Sequence, residues 1–480
     1  MKLGFGALIL AANVLPAATL VSSSQDGNLV FLQLSDGNAQ VEWLSDSSFR
    51  FTRRWERTVP PAAGKSAEPI PLKINDTPES LTIATKYLLL TIARRGVLVR
   101  VAEPDGTPIM SDLSEAELRD GALAWERTAA PGVRFYGLGG RADAAVELRG
   151  SRVPAIKPFL ISSAGYGEYH VASGDYFFDL GSAKADRYRI EARGANKVDY
   201  YFFFGPAPKE ILEQYLLLHE PSGAPIGKTG SLAETIHRLI NGGMSGVLFP
   251  ATALDPYLPI RGELGPYYAT YEQETHDRGL PLIRALPMQF PKDGDAAKAT
   301  DEFMLGDELL VAPIYEGQSS RSLYLPMGVW TRLSDDRVFP GRRVVTIEGK
   351  PGELVLFSRN GSILPLGWGP MTLHYFPRLG GEFFVFEDQP QDYSQMHAAP
   401  AGDLMRLEIE SRKDRYYEWI LHHVDRPRKV VMGGGEFKEA ANRQQLRLQP
   451  GGWFYDSPNG NLHVWMLGSA AKDDIVTISF

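Results

Sequence analysis

The side chains that could do chemistry in this 480-residue chain are oxygen, amine and ring groups, because it holds no cysteine. That excludes a thiol nucleophile and any thiolate metal site. No G-x-S-x-G elbow marks an activated serine, and no glycine loop has phosphate-binding spacing. His422 and His423 are adjacent. Strand neighbours face opposite ways and do not converge on one metal, so neither a metal nor a cofactor is expected. Carboxylates remain as acids, bases or nucleophiles. Asp301, Glu302, Asp307 and Glu308 form an acidic run around FMLG, which reads as solvated loop charge. Glu210 and Glu213 read as solvated helix charge. Trp43, Trp55, Trp330, Trp368, Trp453 and Trp465 could stack on a ligand's ring, although tryptophans in sandwiches mostly fill cores.

The elements that must carry these groups are mainly strands. Forty-eight Gly and 34 Pro, with 20 Tyr and 23 Phe, favour short strands and tight turns over long helices. The net charge of −8 gives no reason to invoke nucleic acid, and no basic block suggests an anionic membrane. Residues 1–21 read as a secretory signal: Lys2, an apolar stretch over 3–15, then Pro16-Ala17-Ala18 before Ser22-Ser23-Ser24. The alternative is a buried first strand. No later apolar run reaches the roughly 18 residues that span a bilayer, so no membrane span is expected. Export without cysteine fits a periplasmic or secreted bacterial protein. Residues 28–204 alternate apolar and polar positions between Gly, Asp, Asn and Pro breaks, as a sandwich with one wet face requires. A helix is expected over 209–220, a second from the capping box Ser231-Leu232-Ala233-Glu234, and a third over 266–276 closed by Gly279.

Several stretches carry a resemblance in order. They are FYGLGGR (135–141), PFLISSAGYG (158–167), YFFDLG (176–181), DYYFFFGPAP (199–208), GGMSGVLFPATALDPY (242–257) and GLPLIR (279–284). FMLGDELLVAP (303–313), SLYLPMGVWTRL (322–333), PGELVLFSRNGSILPL (351–366) and GEFFVFEDQPQDY (381–393) continue it. Together they resemble glycoside hydrolase family 31, the α-glucosidase and α-xylosidase family. The resemblance implies a mainly β, multidomain chain. Its parts would be a signal peptide (1–21), a galactose-mutarotase-like N-terminal β-sandwich (22–205), a truncated α/β barrel remnant (206–321), a proximal C-terminal β-domain (322–395) and a distal one (396–480).

The same resemblance exposes a gap. A retaining glycosidase needs two carboxyl groups about 5–5.5 Å apart. The family carries its nucleophile in a motif like W-x-D-M-N-E and its acid in one ending W-x-G-D; neither is found. A (β/α)8 barrel takes about 250 residues, whereas 206–321 offers about 120. The remnant is therefore expected to repack as a small open α/β layer, or to borrow a partner. On the family pattern the sugar-contacting aspartate falls on Ala253, with Asp255 two residues on. Asp255, Glu263 and Arg284 are the candidate ligand-binding residues, against loop-capping for Asp255 and carboxylate pairing for Arg284. No catalytic residue is assigned. Three functions fit: a degenerate, carbohydrate-binding or accessory relative; an active α-glycoside hydrolase with Asp255 and Glu263 as relocated carboxylates; or a structural partner of an intact glycosidase. Carbohydrate, a second copy or that glycosidase would be the partner.

Overall fold

The computed structural model describes residues 17–56, 68–139, 145–171, 173–219, 222–223, 231–248, 254, 257–258, 260, 262–470 and 472–480. The chain divides into two compact units. One comprises Met1–Val133, Gly150–Ala155 and Glu168–Phe203; the other comprises Arg134–Arg149, Ile156–Gly167 and Phe204–Phe480.

The first unit is built from antiparallel strands. Leu20–Asp26, Leu29–Leu34, Gly37–Ser45 and Ser48–Arg54 follow one another as a meander, and Lys197–Phe204 pairs with the last of them. A second meander runs from Lys73–Asp76 to Pro108–Ser111. A third sheet orders Glu117–Arg119, Ala122–Thr128, Arg187–Arg193, Asp175–Asp179 and Arg152–Pro154. The alternation read from sequence is visible in burial: in ALAWERT, Leu123, Trp125 and Arg127 are the buried positions. Trp43 and Phe202 both pack on Phe49, with ring centroids 5.3 and 5.0 Å away. Arg127 is the exception to an apolar interior. Its Nε donates to Asp112 at 2.8 Å and a terminal nitrogen donates to Glu168, which also accepts from the Tyr188 hydroxyl at 2.9 Å. Burial opposes the Glu168 charge, but Arg127 and then His170 outweigh it and hold the carboxyl down at about 2.

Most of the expected export segment, residues 1–16, lies outside the described residues. Ala18 and Leu20 are buried, the latter in the first strand.

The second unit opens with the hairpin partners Phe135–Gly137 and Phe159–Ser162. Three helices follow: α1 (Pro208–Leu218), α2 (Leu232–Gly243) and α3 (Gly265–Arg278). Each matches its expected position. Ser231 caps α2 by accepting from the Glu234 amide at 3.2 Å. Gly279 ends α3 at φ 71°, and its amide donates to Thr275 O at 2.8 Å.

No barrel forms among the described residues. The one parallel pairing in this stretch joins Ser222–Gly223 to Val247–Leu248. Within the GLPLIR region the chain forms the short strand Ile283–Ala285, and it pairs antiparallel with Phe303–Leu305. That sheet continues through Leu309–Pro313, Leu354–Arg359, Val329–Arg332 and Val338–Pro340. Ile283–Ala285 is thus the edge of an antiparallel sheet whose core includes Leu286, Met304, Leu310, Trp330 and Phe357. Three further sheets follow among the described residues: a two-stranded one pairing Ser320–Leu325 with Arg343–Glu348, a five-stranded one from Ile363–Leu366 and a six-stranded one from Gly381–Phe386. Among the described residues, no helix is long and apolar enough to cross a membrane.

Candidate functional site

Arg284 lies on the edge strand and is turned inward. Its Nε donates to Pro281 O at 2.8 Å, and its terminal nitrogens donate to Glu274 and Asp307. Its guanidinium carbon lies 5.2 Å from the Tyr271 ring centroid. Lys209, in the first turn of α1, adds a bond to Asp307 at 2.9 Å. Burial disfavours charge on Asp307, but Arg284 and then Lys209 overcome it and keep the carboxyl below its ordinary range. Every donor group of Arg284 that could bind a ligand is occupied.

Glu308 follows on the same turn. It accepts from Tyr267 and Tyr271, one helical turn apart on α3, at 2.8 and 2.6 Å. Tyr267 Oη also lies 2.6 Å from Leu305 O. One hydroxyl proton cannot serve both acceptors. A protonated Glu308 resolves this: it donates to Tyr267, which donates to the carbonyl. Burial, with the adjacent Asp307 charge, pushes the Glu308 carboxyl up to about 7, consistent with that proton. Gly306 is required here, because a Cβ would stand 2.3 Å from Tyr267 Oη.

Glu302 is 2% exposed. One oxygen accepts from the Tyr324 amide at 2.9 Å, the other has no partner, and burial pushes the carboxyl up to about 8. The acidic run is therefore not solvated loop charge: Glu302 is buried and Glu308 half-buried, and Asp307 is tied to two cations. The reason is the tight turn around Gly306, which brings 305–308 over the tyrosine face of α3.

Asp255 lies outside the described residues. Glu263 is exposed in the turn before α3, and its carbonyl accepts from the Gly367 amide at 2.7 Å. No hydrogen bond or ion pair joins Glu263 to Arg284, so the structure does not bring these two together. Of the six tryptophans, Trp368 is 46% exposed, while Trp43, Trp330, Trp453 and Trp465 are buried.

A cavity of about 450 Å³ opens instead beside the chain that leaves the carboxyl end of Ile283–Ala285. That chain forms the single-turn helix α4 (Leu286–Gln289), then Phe290 and Pro291. Phe290 and Tyr324 supply its ring surfaces, and Lys292, Arg342 and Arg359 stand around it. Asp293 is fully committed. Both its oxygens lie 3.0 Å from the Tyr324 hydroxyl, and it accepts from the amides of Asp295 and Ala296 at 3.1 and 3.2 Å. Asp295 pairs with Lys298 at 2.6 Å. A smaller cavity of about 140 Å³ shares Pro291 and Lys292 and is walled by Ser162 and Ser163 of the PFLISSAGYG stretch. Sequence reasoning missed the larger cavity because its walls come from 289–295, 324–342 and 359. Only the cation-rich turn at 341–343 and the FPKD tetrapeptide at 290–293 hinted at it.

This arrangement can enclose a small polar ligand against two rings. It does not present two free carboxyl groups across a scissile bond.

Comparison with known proteins places the architecture. The description "Glycosyl hydrolase family 31 C-terminal domain" matches residues 279–364. The chain is 24% identical to an isomaltosyltransferase of Sporosarcina globispora over 243 residues, 46% of this chain and 22% of that protein. It is 25% identical to α-glucosidase 2 of Bacillus thermoamyloliquefaciens over 209 residues, 38% of this chain and 26% of that one. The chain thus spans about a quarter of the length of these curated relatives. Among solved structures, a Flavobacterium johnsoniae family 31 dextranase complexed with glucose superposes with TM-score 0.84 at 14% identity, covering 97% of this chain and 100% of that one. The cycloalternan-forming enzyme of Listeria monocytogenes gives TM-score 0.82 at 13% identity, covering 97% and 77%. At these identities the structures speak for the fold alone. The matched C-terminal domain, the curated relatives and that fold together are consistent with a protein of glycoside hydrolase family 31.

Proposed function

We propose that this is a catalytically degenerate family 31 chain that binds carbohydrate without cleaving it, as an exported accessory in carbohydrate metabolism. One observation carries the reading: acid chemistry and cavity are separated. Retaining hydrolysis needs a protonated carboxyl and a free carboxylate about 5–5.5 Å apart beside the substrate. Of the two carboxyls held near neutrality, Glu302 is buried and Glu308 half-buried, and neither lines this cavity, whereas those that line it, Asp293 and Asp295, are bonded on site. The cavity lies within the roughly 300–1,000 Å³ range of small-molecule sites and offers ring faces beside hydrogen-bonding groups, as sugars require.

The test is release of aryl leaving groups from a panel of aryl α-glycosides by the purified chain, with Asp255→Asn and Glu263→Gln alongside. The degenerate reading expects no release above buffer from a folded sample. Turnover lost in either variant would overturn it in favour of relocated carboxylates.

A further inference from the structure

Three cations line the large cavity, and among the described residues none is paired with a carboxylate. Arg359 is half-buried, its guanidinium carbon 5.7 Å from the Phe290 ring centroid, and its backbone amide is anchored on Glu308 O at 3.1 Å. Arg342 is exposed, but its position is fixed by a left-handed backbone (φ 56°) in the turn between Val338–Pro340 and Arg343–Glu348. Its side chain donates to Met327 Sδ at 3.2 Å, and its backbone amide to Pro326 O at 3.4 Å. Lys292 follows Pro291 on the opposite wall and is shared with the smaller cavity. Elsewhere in the same unit, arginines of comparable burial sit on acids: Arg321 on Asp301 at 2.8 Å, Arg332 on Asp335, and Arg443 on Glu418 at 2.6 Å.

The cavity's own acids do not satisfy these cations. Asp293 is turned onto Tyr324 and two backbone amides, and Asp295 onto Lys298. The cavity therefore keeps a net positive charge beside two aromatic rings. Planar guanidinium forks suit carboxylate, sulfate or sulfonate oxygens, and the ring of Phe290, already covered by Arg359, gives the site one stacked cation–aromatic wall.

We infer that this cavity binds an acidic saccharide, a sugar ring bearing a carboxylate, sulfate or sulfonate, with Arg342, Arg359 and Lys292 holding the anion and Phe290 and Tyr324 facing the ring. This rests on the carbohydrate-binding reading above and names the ligand class. Alone, three surface cations would attract any anion weakly and non-specifically. Convergence on one cavity with ring surfaces distinguishes a saccharide site from a solvated patch.

The experiment titrates the full chain by calorimetry with glucuronate, glucose 6-sulfate, glucose, isomaltose and inorganic sulfate, at low and at physiological ionic strength. Glucuronate or glucose 6-sulfate should bind about tenfold or more tighter than glucose, weakening with salt. Arg359→Gln and Arg342→Gln should each weaken the acidic sugar about tenfold while leaving the thermal midpoint unchanged, and Arg359→Lys should recover part of the loss. Glucose or isomaltose binding as tightly as the acidic sugars would overturn the ligand class and leave the carbohydrate-binding reading standing. Inorganic sulfate matching glucose 6-sulfate would overturn the saccharide part of the inference. Unaltered affinity in both folded variants would overturn the site. No saccharide binding at all would overturn the inference and the carbohydrate-binding reading together.

Discussion

Glu302 has one carboxyl oxygen on the Tyr324 amide and the other on nothing, and burial pushes it up to about 8. Glu308, in its tyrosine cage, is pushed up to about 7. Both bind protons more tightly folded than unfolded. Their contribution to stability is complete below the ordinary carboxyl value of 4.5 and is lost as pH rises through 7 and 8. Denaturant unfolding between pH 5 and pH 8.5 should therefore show stability falling on the order of 1 kcal/mol per pH unit, and Glu302→Gln should flatten the slope. An unchanged slope would show that Glu302 is ionised. Arg284 belongs to the same scale. Arg284→Met removes the cation between Glu274 and Asp307 and should destabilise the chain by about 3–5 kcal/mol. Because its donors are all committed internally, saccharide affinity in the folded variant should not move; a selective loss of affinity would return Arg284 to the ligand.

At the scale of elements, the close approach of α1 to the end of α3 depends on one glycine. A Cβ at 279 would lie 2.5 Å from Leu216 Cβ, on a backbone at φ 71°. Gly279→Ala should cost roughly 1–3 kcal/mol from overpacking, with a further cost of about 1–2 kcal/mol for the left-handed backbone. Thermal unfolding measures it, and a neutral result would mean that α1 can move away. The helices were legible in sequence because caps and breakers are local: Pro208, Ser231 with Glu234, and Gly279 stand where the chain turns. The alternation of the strands was legible for the same reason. Partnership was not. Nothing in GLPLIR says that Ile283–Ala285 takes an antiparallel neighbour twenty residues on, because pairing direction is set by how the connection 286–302 returns the chain and not by the strand's own composition. The acidic run was misread on the same account: burial of Glu302 and Glu308 comes from what folds over them. The cavity was invisible because Phe290, Tyr324, Arg342 and Arg359 meet only in the folded sheet.

At the scale of the whole molecule, export bears on the first strand. Ala18 and Leu20 are buried, and the Ala18 amide lies 3.1 Å from Glu115 Oε1. If the chain is processed on export, the mature terminus should fall at or before Ala18. Mass spectrometry of the exported protein reads this directly; a terminus at 22 would mean that the first strand is dispensable. Among the described residues no barrel forms, and likeness of fold does not by itself deliver chemistry.

The most direct measurement follows one NMR sample containing the folded chain, a neutral α-glucoside and an α-glucuronide over a day. The account expects saturation transfer from protein to saccharide, stronger for the glucuronide, with both anomeric signals unchanged. The appearance of a free reducing sugar, or the absence of transfer to either saccharide, would contradict it.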